Sequence, residues 1–474
     1  MGKLNRGTRA CAVFAWCTAA AFTLSAQTFV TLHTFVGTDG ANPYAALIQA
    51  DNGDGYGTTE NGGAYGSGTI FKITPQATLT TLHSFCSQSA CADGAYPLAG
   101  LVQAPNGYFY GTTVEGGANG LGTVFQVTPS ALITLHSFDG TDGQTPWAGL
   151  AQGSDGNFYG TTANGGSGNN GGTVFKITPG GVLTTLYTFC EKAVQAVCVD
   201  GQHPQAVLVE AANEEFYGTT SAGGANNGGT VFEVTSSGTL TTLYSFCAQS
   251  GCTDGELPNA GLVWAADGNF YGTTTGGGAN GAGTVFKITS TGTLTTLYSF
   301  CSQTGCADGA SPDAALVQAT DGNFYGTTSA GGATGGGTVF EIVSSGALTT
   351  LHSFTGSNAV HQAGIIQGTT GGFFGATWDG GTYNYGTVYG LSVGLGAFVK
   401  LLPPSGAVGT PVRILGTNLT GTTSVSFGGT AAVFAVVSSS EITTTVPAGA
   451  SSGEVQVVTP VGTLSSNVVF RLLP

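Results

Sequence analysis

Basic residues are scarce in this chain. Ten Lys and Arg stand against 25 Asp and Glu, and charged residues of every kind fill only 7% of 474 positions. The formal charge of −15 argues against a nucleic-acid partner, because phosphate binding needs a basic footprint. Acidity of this size says soluble and self-repelling, or receptive to cations. Helical periodicity is missing throughout, as are a His-Glu-x-x-His pair and a Gly-Lys-Thr phosphate cradle. Long apolar runs are few. One, from Ala10 to Leu24, is shorter than the ~20 residues of a membrane span. It follows Lys3, Arg6 and Arg9 and precedes the small residues Ser25 and Ala26. That is the three-part layout of a secretory signal over residues 1–26, cleaved near Gln27, with an uncleaved anchor as the alternative. Cleavage removes three positive charges and no carboxylate, leaving −18. No second apolar span follows, so the expected product is exported and carries no transmembrane span once the signal is gone.

Glycine, with 81 copies, dominates what is present, and hydrophobic residues make up 41%. This is not the composition of a disordered chain. The string YGTT begins at Tyr56, Tyr110, Tyr159, Tyr217, Tyr271 and Tyr325, and a degraded FGAT begins at Phe374. The spacings are 54, 49, 58, 54, 54 and 49 residues. Each copy is followed by a Gly-rich stretch, then GTIF, GTVF or GTVY, a turn, and a segment such as LTTLYSF. The fifth copy reads as four strands: from Ala260, Asn269, Gly283 and Leu294, with Asp-Gly and Ser-Thr-Gly hairpins. Four antiparallel strands in about 50 residues is the pattern of a β-propeller blade.

The expected fold is all-β: a seven-bladed β-propeller over residues 27–395, then an immunoglobulin-like β-sandwich over 396–474. The first three strands of a unit occur seven times, the last set running from Ala363 to Leu391. The fourth-strand segment also occurs seven times, but its first copy, Phe29–Phe35, precedes every blade, and the last blade lacks one. Lending Phe29–Phe35 to the last blade closes the ring without an open edge. Phe and Tyr of NFYGTT then face neighbouring blades as core. His33, His83, His136 and His352 alternate with Tyr187, Tyr244 and Tyr298 at one position, which reads as packing.

Cys11 and Cys17 fall in the signal. The remaining eight form close pairs, Cys86 with Cys91, Cys190 with Cys198, Cys247 with Cys252 and Cys301 with Cys306. They come and go with an insertion: Phe35 to Asp39 is four steps, whereas Phe85 to Asp93 is eight. In an exported chain this predicts four local disulfides, with zinc binding as the alternative.

Connections from fourth to first strand and from second to third share one propeller face. That face carries the disulfides and Gly-rich segments, and a ligand is expected there. One position within the frame refuses to repeat, reading Tyr44, Leu98, Trp147, Gln205, Asn259, Asp313 and Gln362. These residues ring one mouth of the channel if the first strand is innermost, as a surface tuned to a partner or as simple exposed positions. Trp378 adds an aromatic surface suited to a sugar. Asp39, Asp93, Asp142, Asp200, Asp254 and Asp308 each precede Gly. They are candidate Ca²⁺ ligands or Asx-turn caps, and no other cofactor is expected.

The unit DGNFYGTTSAGG…GGTVFEVTSSGTLTTLYSF resembles the GloVer (Gloeobacter/Verrucomicrobia) tandem repeat of exported bacterial proteins, over roughly Thr28 to Leu395. The resemblance implies a location outside the cell, at its surface or in the periplasm, and assigns no functional residues. The tail is similar to an IPT/TIG domain through Pro403–Leu419, Ser424–Ala432, Ile442–Gly449 and Gly453–Pro460. The function expected is non-catalytic binding or scaffolding, toward an extracellular glycan or protein. The alternative is a polysaccharide lyase or glycosidase, for which His203 and His361, with Asp313 or Glu256, are the available groups.

Overall fold

The computed structural model describes residues 27–167, 169–191, 193–194, 197–355 and 362–473. The expected signal, residues 1–26, and with it Cys11 and Cys17, lies outside the described residues. Between Thr28 and Ser392 there are seven four-stranded antiparallel sheets. Six consist of consecutive strands, the fifth being Val263–Trp264, Phe270–Thr274, Thr284–Ile288 and Leu294–Ser299. In the seventh, Gln362–Gln367, Phe373–Thr377 and Thr387–Ser392 are joined by Thr28–Thr34 from the start of the chain. Thr28 pairs with Ser392 and Thr34 with Thr387, antiparallel. The described chain is thus an all-β repeat of propeller-like sheets, and none of its helices is long and apolar enough to cross a membrane.

Each residue of the repeated Tyr-Gly-Thr-Thr has a separate task. Tyr271 stacks on Phe324 of the following sheet, ring centroids 4.0 Å apart. A Cβ at Gly272 would lie 2.6 Å from Phe286 Cζ, so only glycine leaves room for that ring. The Thr273 hydroxyl donates to the Ala314 carbonyl of the next sheet, at 3.3 Å. Thr274 and Thr284 share a buried hydroxyl–hydroxyl bond of 2.9 Å within their own sheet. The second strand is accordingly buried at all five positions, while the fourth is only partly buried along its length.

The first strand is shorter than its sequence suggests. The ladder holds only Val263 and Trp264, although the apolar run begins at Ala260. The preceding residues run against the neighbouring sheet instead. A Cβ at Gly261 would sit 3.1 Å from the Val207 carbonyl oxygen.

Apolar clusters join each sheet to the next. Tyr271, Val285 and Phe300 of the fifth meet Leu316, Phe324 and Phe340 of the sixth. Phe35, Ala363 and Val388 of the seventh meet Leu47, Phe71 and Ile73 of the first in the same way. A ring of polar contacts links the first-to-second-strand hairpins as well. Gln49 Oε1 accepts the Thr369 amide (2.8 Å), Gln103 Oε1 that of Asp51 (3.1 Å) and Gln367 Oε1 that of Thr320 (3.1 Å). The first of these again connects the first sheet to the seventh.

Beyond Phe398 the strands Lys400–Leu402, Pro411–Leu415, Glu441–Thr445 and Phe434–Val436 form one sheet. Thr430–Ala431, Ser424–Phe427, Val455–Thr459 and Gly462–Ser465 form a second. Between them lies a core that includes Ile414, Phe427, Ile442, Val457 and Phe470. Val455–Thr459 alternates buried and exposed along its length, the pattern of a strand with one face on a core.

Candidate functional site

In six of the seven sheets the approach to the first strand is set by a strained residue and a proline. Asn42, Tyr96, Thr145, His203, Leu257 and Ser311 all hold φ between 50° and 59°. The proline after each packs on the glycine that opens the preceding sheet's third strand. A Cβ at Gly283 would lie 2.7 Å from Pro312 Cδ, and one at Gly386 would lie 2.7 Å from Pro43 Cδ. The residue after the proline is the one that varies from repeat to repeat, and it is fixed in place by this junction.

Tyr44, Leu98, Trp147, Gln205, Asn259 and Asp313 all line one cavity of about 440 Å³, together with Trp378. The cavity walls are the first-strand segments of the seven sheets. Tyr44 and Trp147 keep 43% and 37% of their surface open at its rim, whereas Leu98 is buried. His203 is not part of that lining. Its Nδ1 lies 2.8 Å from the Ala163 carbonyl oxygen and its amide donates to Gly171. His361 and the side chain of Gln362 lie outside the described residues.

Glu60, which the repeat frame does not single out, belongs to the same rim. The Trp378 indole N–H donates to Glu60 Oε2 at 2.7 Å, and Asn42 Nδ2 donates to the Trp378 carbonyl at 2.9 Å. Trp378 of the seventh sheet is thereby tied to the loops of the first. Desolvation at the rim, then the charges of Asp313 and Glu60, raise the Tyr44 hydroxyl above its usual pKa. Among the described residues the lining contains Asp313 and no Lys, Arg or His. Lys176 and Lys287 pair instead with hairpin carboxylates, Asp155 at 2.8 Å and Asp267 at 2.9 Å.

The six candidate Ca²⁺ carboxylates are engaged by protein donors. Asp39 accepts His33 Nε2 (2.9 Å) and the Val36 amide (2.8 Å). Asp93 meets His83 at 3.0 Å, and Asp142 meets His136 at 2.6 Å. The Tyr187, Tyr244 and Tyr298 hydroxyls donate to Asp200, Asp254 and Asp308 at 2.9, 2.8 and 2.8 Å. The alternating His and Tyr are therefore more than packing, since each carries a polar edge that meets the loop aspartate. His352 has no aspartate at the corresponding place among the described residues and stacks on Phe29 at 3.8 Å.

Disulfides join Cys86 to Cys91, Cys190 to Cys198, Cys247 to Cys252 and Cys301 to Cys306. The Cys247, Cys252 and Glu256 cluster has its two sulfurs in a disulfide, so it is no metal centre. The disulfide loops pack on the Gly-rich connections, with the Cys306 carbonyl accepting the amides of Gly309 (2.9 Å) and Gly332 (2.8 Å). Gly449–Gly453 fits the Gly-x-Ser-x-Gly pattern, but it lies in a turn between strands and not at a strand-to-helix elbow. A groove of about 630 Å³ is lined by Phe29, His352, Phe354 and Thr355.

Taken together, repeated sheets around a common cavity define a propeller-like repeat protein. The chain belongs to the family described as the Gloeobacter/Verrucomicrobia repeat, whose sequence model matches residues 2–198, 193–389 and 253–437. No curated protein matches its sequence. Among solved structures it is similar to the extracellular domain of a provisionally assigned one-component system from B. thetaiotaomicron. Identity is 11% and the TM-score 0.50, over 95% of this chain and 58% of that one. This chain thus spans little more than half of that neighbour, and the likeness concerns fold alone. A PQQ-bound aldose sugar dehydrogenase from Streptomyces coelicolor is similar at 14% identity and TM-score 0.40, over 77% of this chain and 98% of that one. That score is too low to support an argument.

Proposed function

We propose that this is an exported, secreted or cell-surface protein that binds a ligand without transforming it. In this reading residues 1–26 are the export signal. Residues 27–395 are a seven-bladed β-propeller closed by the N-terminal strand, and 396–474 are an immunoglobulin-like domain of the IPT/TIG type. The ligand is a glycan, with a protein as the other outcome to be tested. It sits in the cavity mouth on the face that carries the disulfides.

One observation carries the reading. Six of the seven residues at the position that varies between otherwise repeated units converge on a single cavity, and they bring Tyr44 and Trp147 to it beside Trp378. Aromatic faces and amide side chains in a concave site are what a sugar ring needs. Export is supported by the four disulfides, which persist in oxidising compartments.

The test is a glycan array with the full secreted chain, with and without Ca²⁺, accompanied by product analysis of polysaccharide digests. Saturable binding that falls at least tenfold in Trp147→Ala, with no new reducing ends or unsaturated sugars, is the expected result. Turnover that survives purification overturns the non-catalytic reading. Binding unchanged by Trp147→Ala and Asp313→Asn overturns the location.

A further inference from the structure

The cavity has a second end, opposite the mouth, where the first-to-second-strand hairpins gather. Residues of the carboxyl-terminal sheets contact these hairpins. Arg413 bonds Asp51 in the first sheet's hairpin and also Glu441 at 2.6 Å. Its guanidinium reaches the Pro105 carbonyl of the second sheet at 3.4 Å. Ser440 Oγ donates to the Asp51 carbonyl at 3.1 Å. Arg471, from the last strand of the same region, donates to the Ala211 carbonyl of the fourth sheet at 2.9 Å and approaches Glu214 at 3.9 Å.

In a ring of seven sheets, the fourth stands opposite the junction of the seventh and first. A body that touches the first, second and fourth hairpins together reaches from beside that junction to the far side of the ring. Pro105 and Trp264 mark gaps in the ring of hairpin contacts. Proline has no amide to offer Gln152, and a tryptophan holds the fifth sheet's glutamine place. Arg413 binds at the first of these gaps. The contacts are well shielded, with the Arg413, Asp51 and Glu441 side chains 17%, 18% and 14% exposed. Removing one partner of a pair so shielded costs more than breaking a surface ion pair, because it leaves a charge uncompensated.

We infer that the tail seals the channel, so that the cavity is a blind pocket which takes the end of a glycan chain and not its middle. The inference rests on the binding reading above and deepens it. A cavity of about 440 Å³ falls low in the ~300–1,000 Å³ range of small-ligand sites, and suits one or two sugar units entering end first. Its chemistry narrows the class further. Asp313 in the lining and Glu60 at the rim, with no cation among the described lining residues, favour a neutral or amine-bearing terminus over an anionic one.

The experiment is calorimetric titration of the full chain with malto- and cello-oligosaccharides of one to six units, cyclomaltohexaose, chitosan oligomers and oligogalacturonates. The expected result is a Kd that improves over the first one or two units and then stays within about threefold. The endless cyclic oligomer and the oligogalacturonates should bind at least tenfold more weakly. Affinity that climbs through six units, or equal binding of cyclic and linear forms, overturns end recognition while leaving the binding reading intact. Binding by none of these saccharides at millimolar concentration overturns the glycan reading and this inference with it. In an Arg413→Ala, Arg471→Ala double variant whose tail has become protease-sensitive, the length plateau should disappear. A plateau that persists there shows that the tail does not set it.

Discussion

At the scale of the residue, the most informative group is the aspartate that closes each loop from a fourth strand. Asp308 is fully buried, and its carboxylate accepts the Tyr298 hydroxyl, the Ser302 amide and hydroxyl, and the Gln303 amide. Burial alone would raise its pKa, but these donors outweigh burial and hold it below the ordinary value. A carboxyl with a depressed pKa stabilises the fold above its unfolded-state pKa, near 3.9, and this contribution fades as pH falls through the lower folded value. Asp308→Asn should therefore cost about 1–3 kcal/mol at pH 7. The gap to wild type should narrow in urea titrations taken below about pH 4. A gap that is constant from pH 7 to 3 would show that the carboxylate's charge contributes nothing. The sequence reading took the His and Tyr of this position as packing alone. Their common polar edge was visible, but its partner was not, because the spacing to the aspartate runs from six residues at His33 to 13 at Tyr187.

At the scale of the element, the strands were legible because their chemistry repeats at a nearly fixed interval. The boundaries of the first strand were not, because close approach to a neighbouring sheet shortens its ladder without changing its hydrophobic pattern. The role of the YGTT glycine is testable directly. Gly272→Ala pushes a Cβ to 2.6 Å from Phe286, and overpacking of this kind costs about 1–3 kcal/mol. Gly180 has only Thr178 Oγ1 at 3.8 Å from such a Cβ, so Gly180→Ala should stay within about 0.5 kcal/mol of wild type. Denaturant midpoints of the two variants check this, and equal losses would contradict it. Loops were harder to read than strands. The disulfides followed from cysteine spacing, whereas Glu60 was missed because its repeat position holds Val114, Ala163, Ser221, Thr275, Ser329 and Trp378 elsewhere. Nothing local marks it as a partner of the tryptophan that holds the same place 318 residues later.

At the scale of the whole molecule, two long-range contacts decide the account. The docking of the tail could not be read from sequence, since Arg413 and Asp51 are 362 residues apart and nothing local pairs them. The pairing of Thr28–Thr34 with Thr387–Ser392 could be read, because a strand without a blade and a blade without a strand imply each other. That pairing makes the first and last sheets neighbours, and the mouth, the blind end and the ligand reading all depend on it. Thr28 and Ser392 face each other in the ladder, so Thr28→Cys with Ser392→Cys places two thiols within reach of a bond. The measurement is peptide mapping of the oxidised, monomeric double variant by mass spectrometry. The account predicts a near-complete intramolecular link between those two positions, together with a raised unfolding midpoint. Free thiols at both positions, or links formed only between separate chains, would contradict it.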